Sequence, residues 1–240
     1  MTTATRTPTR TSAHTGRLLI RVERRNGRSV VSRAEGHTPY AARLVASVDG
    51  RARVMLVQTI AGPLAGDRLR VELDVGPGAA LELAANAATL ALPAARPARV
   101  ELHARLEGSA LLVLAPEPVI LAAGCKLETT TGLELANGAA AIVRELLVLG
   151  RHGERPGRYH ATLRAELDGR PLLHDAVALS GARVYGSIAL LGLAPTAAPG
   201  LDELELAGPG RVARVLGADV PSVRRRIESL FATYLRLLAA

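Results

Sequence analysis

Two carboxylates in this sequence sit where the alternation of a strand sends their neighbours inward. In Gly66-Asp67-Arg68-Leu69-Arg70-Val71, Asp67 shares the parity of Leu69, Val71 and Leu73. In the run from Ala140 to Gly150, Glu145 shares a face with Ala141, Val143, Leu147 and Leu149, while Arg144 shares the other with Ile142, Leu146 and Val148. Both faces of that run are otherwise apolar, so at least one of the two charges is directed into a low-dielectric region. An unpaired buried charge is costly and needs a partner, a water-filled cavity or a shifted pKa. The residues therefore leave two outcomes open, a polar internal site or channel and a structural ion pair. Asp67 has a local alternative as the residue that caps a strand start after glycine. A third carboxylate, Glu154, closes Gly150-Arg151-His152-Gly153-Glu154, a charge-alternating segment that reads as a solvated hairpin loop.

Other chemistries lack their residues. The only lysine, Lys126, follows Cys125, so there is no G-x-x-x-x-G-K-[ST] phosphate loop, and neither G-x-S-x-G nor H-E-x-x-H occurs. The six histidines (14, 37, 103, 152, 160 and 174) include no pair at close metal-ligand spacing. His103 falls on the outward parity of its strand, and His152 and His160 flank a Gly/Arg-rich turn, so all three read as surface residues. Cys125 follows an apolar run and reads as a small buried residue. A single cysteine forms no internal disulfide and no multi-cysteine zinc site.

The elements that must position these groups are strands. Leu69, Val71, Leu73 and Val75 alternate with Arg68, Arg70, Glu72 and Asp74, and Val100 to Glu107 alternates in the same way. Asn26-Gly27, Asp49-Gly50, Pro77-Gly78, Glu107-Gly108, Asn137-Gly138 and Asp168-Gly169 each separate two strand-like runs, as tight turns do. From Gly50 the glycines recur after 28, 30, 30 and 31 residues, and Gly78, Gly108 and Gly138 are followed by similar small and apolar residues. A recurrence of strand, turn and strand predicts an all-β chain of stacked, superhelical, β-helix-like coils; a regular antiparallel sandwich is the alternative. After an Ala/Pro/Gly-rich connector at 194–210, Arg211–Leu216 reads as one more strand. From Pro221 to Leu238 the period changes. Ile227, Leu230, Phe231, Tyr234, Leu235 and Leu238 line one face of a C-terminal α-helix. Arg224-Arg225-Arg226 near its start is opposed by the helix dipole unless carboxylates lie close by. The organisation expected is a flexible basic tail over 1–15 and a single domain over 16–240 with the helix at 221–238.

Apolar residues make up 48% of the 240, enough for a sizeable core, yet only five residues are aromatic, Phe231 and four tyrosines. Base stacking on aromatic faces, the basis of single-strand nucleic-acid readers, is thereby disfavoured. The net charge of +8 is uneven: residues 1–33 carry eight arginines (6, 10, 17, 21, 24, 25, 28 and 33) against Glu23, while the remainder is nearly neutral. The arginines from 17 to 33 read as one face and turn of a first hairpin, a protein-docking edge and not a nucleic-acid site. No apolar stretch approaches the roughly 20 residues that span a bilayer, and no secretory signal is seen, so a cytoplasmic protein without membrane attachment is expected.

Three segments, in order, resemble the UreD (also called UreH) family of urease accessory proteins, and the chain reads as a divergent, short member. GRLLIRVERRNGRSVVSRAEGHTPYAARL (16–44) is similar to that family's first hairpin and Pro-containing turn, TIAGPLAGDRLRVELDVGPGAALELAANAA (59–88) to its glycine-rich segment, and LAPEPVILAAGCKLETTTGLELANGAAAIVRELLVLGRHGE (114–154) to its most specific segment. The chain departs from the pattern at Pro63-Leu64-Ala65 and Leu83-Ala84-Ala85-Asn86.

The resemblance implies a protein that is not an enzyme. It implies a β superhelix that binds apo-urease and a partner of the UreF type, which in turn recruits a nickel-carrying GTPase of the UreG type. It implies further that no cofactor is stably bound and that nickel passes transiently toward the urease metallocentre through an internal passage. By position, Asp67, Glu145 and Glu154 match acidic places of the family and are the candidate nickel-passage carboxylates, and Arg151 matches its Gly-Arg pair. Sparse oxygen ligands suit transient nickel, whereas a His/Cys cluster would trap it. Two other readings compete. One is a β-solenoid enzyme acting on acidic polysaccharide, with Asp67 and Glu145 presented about 5–10 Å apart in one cleft. The other is a plain protein-binding module docking through its basic arm.

Overall fold

The computed structural model describes residues 13–239 except 38, 94, 180 and 181. Arg6, Arg10 and most of the expected N-terminal tail lie outside the described residues. In chain order the strands are β1 (Thr15–Arg25), β2 (Arg28–Gly36), β3 (Tyr40–Val48), β4 (Arg51–Gln58), β5 (Arg68–Val75), β6 (Ala80–Ala85), β7 (Thr89–Ala91), β8 (Ala98–Leu106) and β9 (Leu111–Ala115). They continue with β10 (Val119–Leu121), β11 (Lys126–Leu135), β12 (Ala140–Leu149), β13 (Arg158–Leu167), β14 (Arg170–Leu179), β15 (Val184–Leu191), β16 (Glu203–Glu205) and β17 (Gly210–Gly217), followed by helix α1 (Val220–Ala239). The predicted helix and last strand are each present and slightly longer, and β16 lies within the predicted connector.

The strands form two sheets, ordered β14-β13-β11-β8-β5-β1-β2 and β16-β17-β15-β12-β9-β6-β4-β3. The centres are parallel, because the chain visits each sheet once per coil and returns one strand further along. Leu69 stands beside Val100 and Val100 beside Thr129; in the other sheet Leu81 stands beside Leu112 and Leu112 beside Ala141. The result is a β-solenoid of about four turns. The sandwich alternative fails on this point, since its sheets are antiparallel. Antiparallel strands flank the coils, with β2 on β1, β14 on β13 and β3 on β4, and with β15 on β12 followed by β17 and β16.

The glycine pairs serve two kinds of turn. Asn26-Gly27, Asp49-Gly50 and Asp168-Gly169 are hairpin turns with both residues at positive φ, for example 49° and 75° at Asn26 and Gly27. That conformation is open to Asn, Asp and Gly at little steric cost. The other three pairs are corners between the sheets and stack on one another. Leu111 N–H donates to Ala79 O and Ala140 N–H to Ala110 O, and Ala79, Ala110 and Ala139 are fully buried where the sheets converge. Leucines at 18, 69, 73, 81, 106 and 112 fill the space inward of these corners.

The outer face of the second sheet is covered by α1. Asp219 caps the helix, accepting from Ser222 N–H at 2.9 Å. Val223, Ile227, Leu230 and Tyr234 are buried against Ile142, Leu146, Ile188 and Ala213, with Phe231, Leu235 and Leu238 at the margin. Arg224 pairs with Glu117 at 3.1 Å and Arg226 with Asp202 at 2.7 Å, so nearby carboxylates offset the unfavourable dipole at this end. A Cβ on Gly186 would stand 2.5 Å from Ile227 Cγ1, so the bare backbone is what lets the helix approach. Gly186→Ala is expected to destabilise the fold by about 1–3 kcal/mol through overpacking, read as a lower midpoint in a circular-dichroism urea titration.

The basic hairpin is largely neutralised on its own sheet. Arg21 pairs with Asp74 at 3.0 Å, Arg25 with Glu23 at 2.7 Å and Arg33 with Glu35 at 2.7 Å, and Arg17 pairs with Glu72. Exposed pairs of this kind contribute little stability each. They also leave the +8 concentrated less sharply than the sequence suggests.

Candidate functional site

With few aromatic side chains available, the inward faces are filled by Val, Leu, Ala and Thr. These do not close the whole gap between sheets that pack about 10 Å apart. A cavity of about 230 Å³ remains between the sheets. Its walls are mostly apolar, and its polar lining includes Thr129, Thr131 and Thr162 of the first sheet and Glu145, Tyr185 and Ser187 of the second. At the β3–β4 end it meets a second hollow of about 270 Å³ that shares Tyr40, Leu56, Ala85 and Thr89 with it. The lining of the first cavity runs from Tyr40 of β3 to Asp175 of β14.

Glu145 is the carboxylate of β12 that lines the cavity between the sheets. The Tyr159 hydroxyl donates to its Oε1 and itself lies 2.9 Å from Thr129 Oγ1. Burial among apolar walls pushes the Glu145 carboxyl up to about 7, opposed by the Tyr159 hydrogen bond and assisted by the negative charge of Asp175. Burial likewise raises the hydroxyls of Tyr159 and Tyr185, the latter to about 12, with Glu145 adding to both. Arg144 points the other way, under α1. Its Nη1 bonds Glu228 at 2.6 Å, its Nη2 bonds the carbonyls of Ala115 and Pro116 at 3.1 Å, and its guanidinium sits 4.9 Å from the Phe231 ring centre. Both outcomes left open by the sequence are therefore realised on one strand: an ion pair for Arg144 and an internal polar site for Glu145.

The other candidates stand apart. Asp67 is buried at 1% exposure; its Oδ1 accepts from His14 N–H and its Oδ2 from Leu64 N–H, each at 2.8 Å. It thus ties the start of β1 to the 62–66 turn, near the Tyr40 end, and does not line the cavity that holds Glu145. Glu154 lies in the connection from β12 to β13, strands of different sheets, so this segment is an inter-sheet corner and not a hairpin loop. Its Oε2 accepts from Arg151 N–H at 3.0 Å and Ala123 N–H at 3.2 Å, and the Arg151 guanidinium grips Oε1. These bonds, the Arg151 side chain first among them, hold the Glu154 carboxyl down at about 2. A carboxyl lowered on folding stabilises the fold above its unfolded value and loses that contribution as pH falls through its folded one. Glu154→Gln is expected to flatten the loss of thermal stability between pH 4.5 and 2, checked by melts across that range.

Cys125 is buried against Gly157, and burial raises its thiol to about 11, the behaviour of an inert core residue. Among the described residues no three His, Cys, Asp or Glu are grouped to hold a metal ion, and no helix is long and apolar enough to cross a membrane. Asp175 was missed by sequence reasoning, although it shares the parity of Leu173, Val177 and Leu179 in β14.

A profile described as UreD urease accessory protein matches residues 14–240. The chain is 34% identical over 241 residues to the urease accessory protein UreD of Streptomyces coelicolor, covering 90% of this chain and 94% of that protein. It is 37% identical over 194 residues to urease accessory protein UreD 1 of Streptomyces griseus, covering 75% and 76%. Relatives named as accessory proteins accord with a role beside an enzyme, and the β-solenoid accords with the resemblance in the strand and turn segments. The chain belongs to the UreD family of urease accessory proteins.

Proposed function

We propose that this protein serves urease maturation in the cytoplasm as a scaffold without catalytic activity of its own. It binds apo-urease and a partner accessory protein of the UreF type, and through that partner the nickel-carrying GTPase of the UreG type. Nickel, as cargo, crosses the passage between the two sheets. The observation that carries this reading is the internal carboxylate of Glu145, flanked by hydroxyls and raised to about 7 by its apolar surroundings. Such a group takes up a divalent cation by losing a proton and gives it back without the tight hold of a thiolate or imidazole cluster. Asp67 and Glu154 keep their oxygens on backbone amides, and in this proposal they act on the turns that shape the ends of the passage. Arg151 acts through Glu154.

The test is reconstitution. Apo-urease supplied with the UreF-type and UreG-type partners, GTP and nickel is expected to acquire nickel only when this protein is added, and to co-purify with it beforehand. Equal nickel uptake without it contradicts the proposal.

A further inference from the structure

The first sheet ends at β14, whereas the second continues past β15 to β17 and β16. Side chains span the gap between the sheets beside β14: Leu172 of β14 reaches toward Gly208, and Arg214 of β17 reaches Asp175. Arg214 of β17 is the register partner of Ser187, which is itself the register partner of Glu145, so the three share one row on the inner face. From there the Arg214 guanidinium pairs across the gap with Asp175, and its charge acts on Tyr185, both of which line the cavity. Solvent begins immediately beyond: Leu216, two residues further on the same face, is 63% exposed.

We propose that the Arg214–Asp175 ion pair closes the passage at its β14–β17 end, and that the swing of Arg214 into solvent opens the way between Glu145 and the outside for a divalent cation. The proposal rests on the conduit reading above. Arg214 is more exposed than two other arginines of this region. Its side chain is 38% exposed, against 3% for Arg211 and 11% for Arg144, each fixed by several partners. A part-exposed ion pair contributes little net and breaks readily. While in place, its positive charge repels a cation and its bulk fills the gap. Once it swings away, the Asp175 carboxylate faces the same row as Glu145, so the group that held the closure becomes an oxygen ligand on the path.

The test separates closure from conduction. Ser187→Cys in a Cys125→Ala background places a thiol inside the closure, and its rate of modification by the small cationic reagent aminoethyl methanethiosulfonate is followed by mass spectrometry. If the open form is a minor state, adding Arg214→Gln is expected to speed modification about tenfold. Arg214→Lys should keep it slow. Asp175→Asn, which frees the guanidinium by a different route, should also speed it. Equal rates in all four proteins would overturn the closure, whatever urease does. Faster modification with unchanged nickel loading of urease would leave the closure standing and count against the conduit on which it was placed.

Discussion

Replacing Glu145 by glutamine is expected to make the protein more stable and worse at its task. In the folded chain this carboxyl is raised to about 7 from an ordinary value of 4.5. A carboxyl raised on folding contributes its stability below the unfolded value, where it is protonated in both states, and that stability is lost as pH rises through the folded value. Above pH 7 the charged group therefore opposes folding, by an amount of up to about 3 kcal/mol. Glutamine keeps the shape and can still accept from Tyr159, while removing the charge. Melts of the two proteins should diverge between pH 5 and 8, with the variant the more stable at the upper end. Coincident curves would show that Glu145 is well solvated and would remove the ground for reading it as an internal carboxylate.

A large loss is expected at Arg211. It is 3% exposed and lies between Glu203 and Glu205, with Nη2 at 2.9 Å from Glu205 and 2.7 Å from the Ala197 carbonyl. Glu203 in turn accepts from the Tyr234 hydroxyl at 2.5 Å, so the cluster ties the end of α1 to β16 and β17. Arg211→Ala strands the Glu203 carboxylate with its main counter-charge gone, a change that costs about 3–5 kcal/mol when a buried pair is broken. In a urea titration the midpoint should fall accordingly. An Arg211→Ala, Glu203→Gln double variant should recover part of the loss, because the stranded charge is then removed as well. A loss of under about 1 kcal/mol would show that the cluster is solvated and behaves as a surface pair.

Much of the fold can be read from alternation and turn residues because both are local. The inward set of β5 and the buried face of α1 follow from periods of two and 3.6. The glycine pairs are harder to read, since Asn26-Gly27 makes a hairpin and Asn137-Gly138 a corner with the same two residues. What separates them is which strand the next run pairs with, a long-range property. The same limit applies to the site. Parity puts Glu145 and Arg144 on opposite faces of β12, but only the docking of α1 decides which face meets the helix and which meets the other sheet. Asp175 and Arg214 also sit at inward parity, yet they lie in distant strands and become partners only because the second sheet outruns the first. Asp67 carries the same parity signal as Glu145 and is instead consumed by two backbone amides, since it stands at a strand start, where unpaired N–H groups need acceptors.

If nickel crosses this protein as proposed, it meets Glu145 on its way to urease. The most direct measurement is the nickel content of urease, by atomic absorption, after timed reconstitution with the wild-type protein or with Glu145→Gln. The variant is expected still to co-purify with apo-urease and to deliver nickel about tenfold more slowly, the effect of losing about 1.4 kcal/mol of interaction with the ion. Delivery at the wild-type rate by a folded, urease-bound Glu145→Gln protein would contradict the proposal.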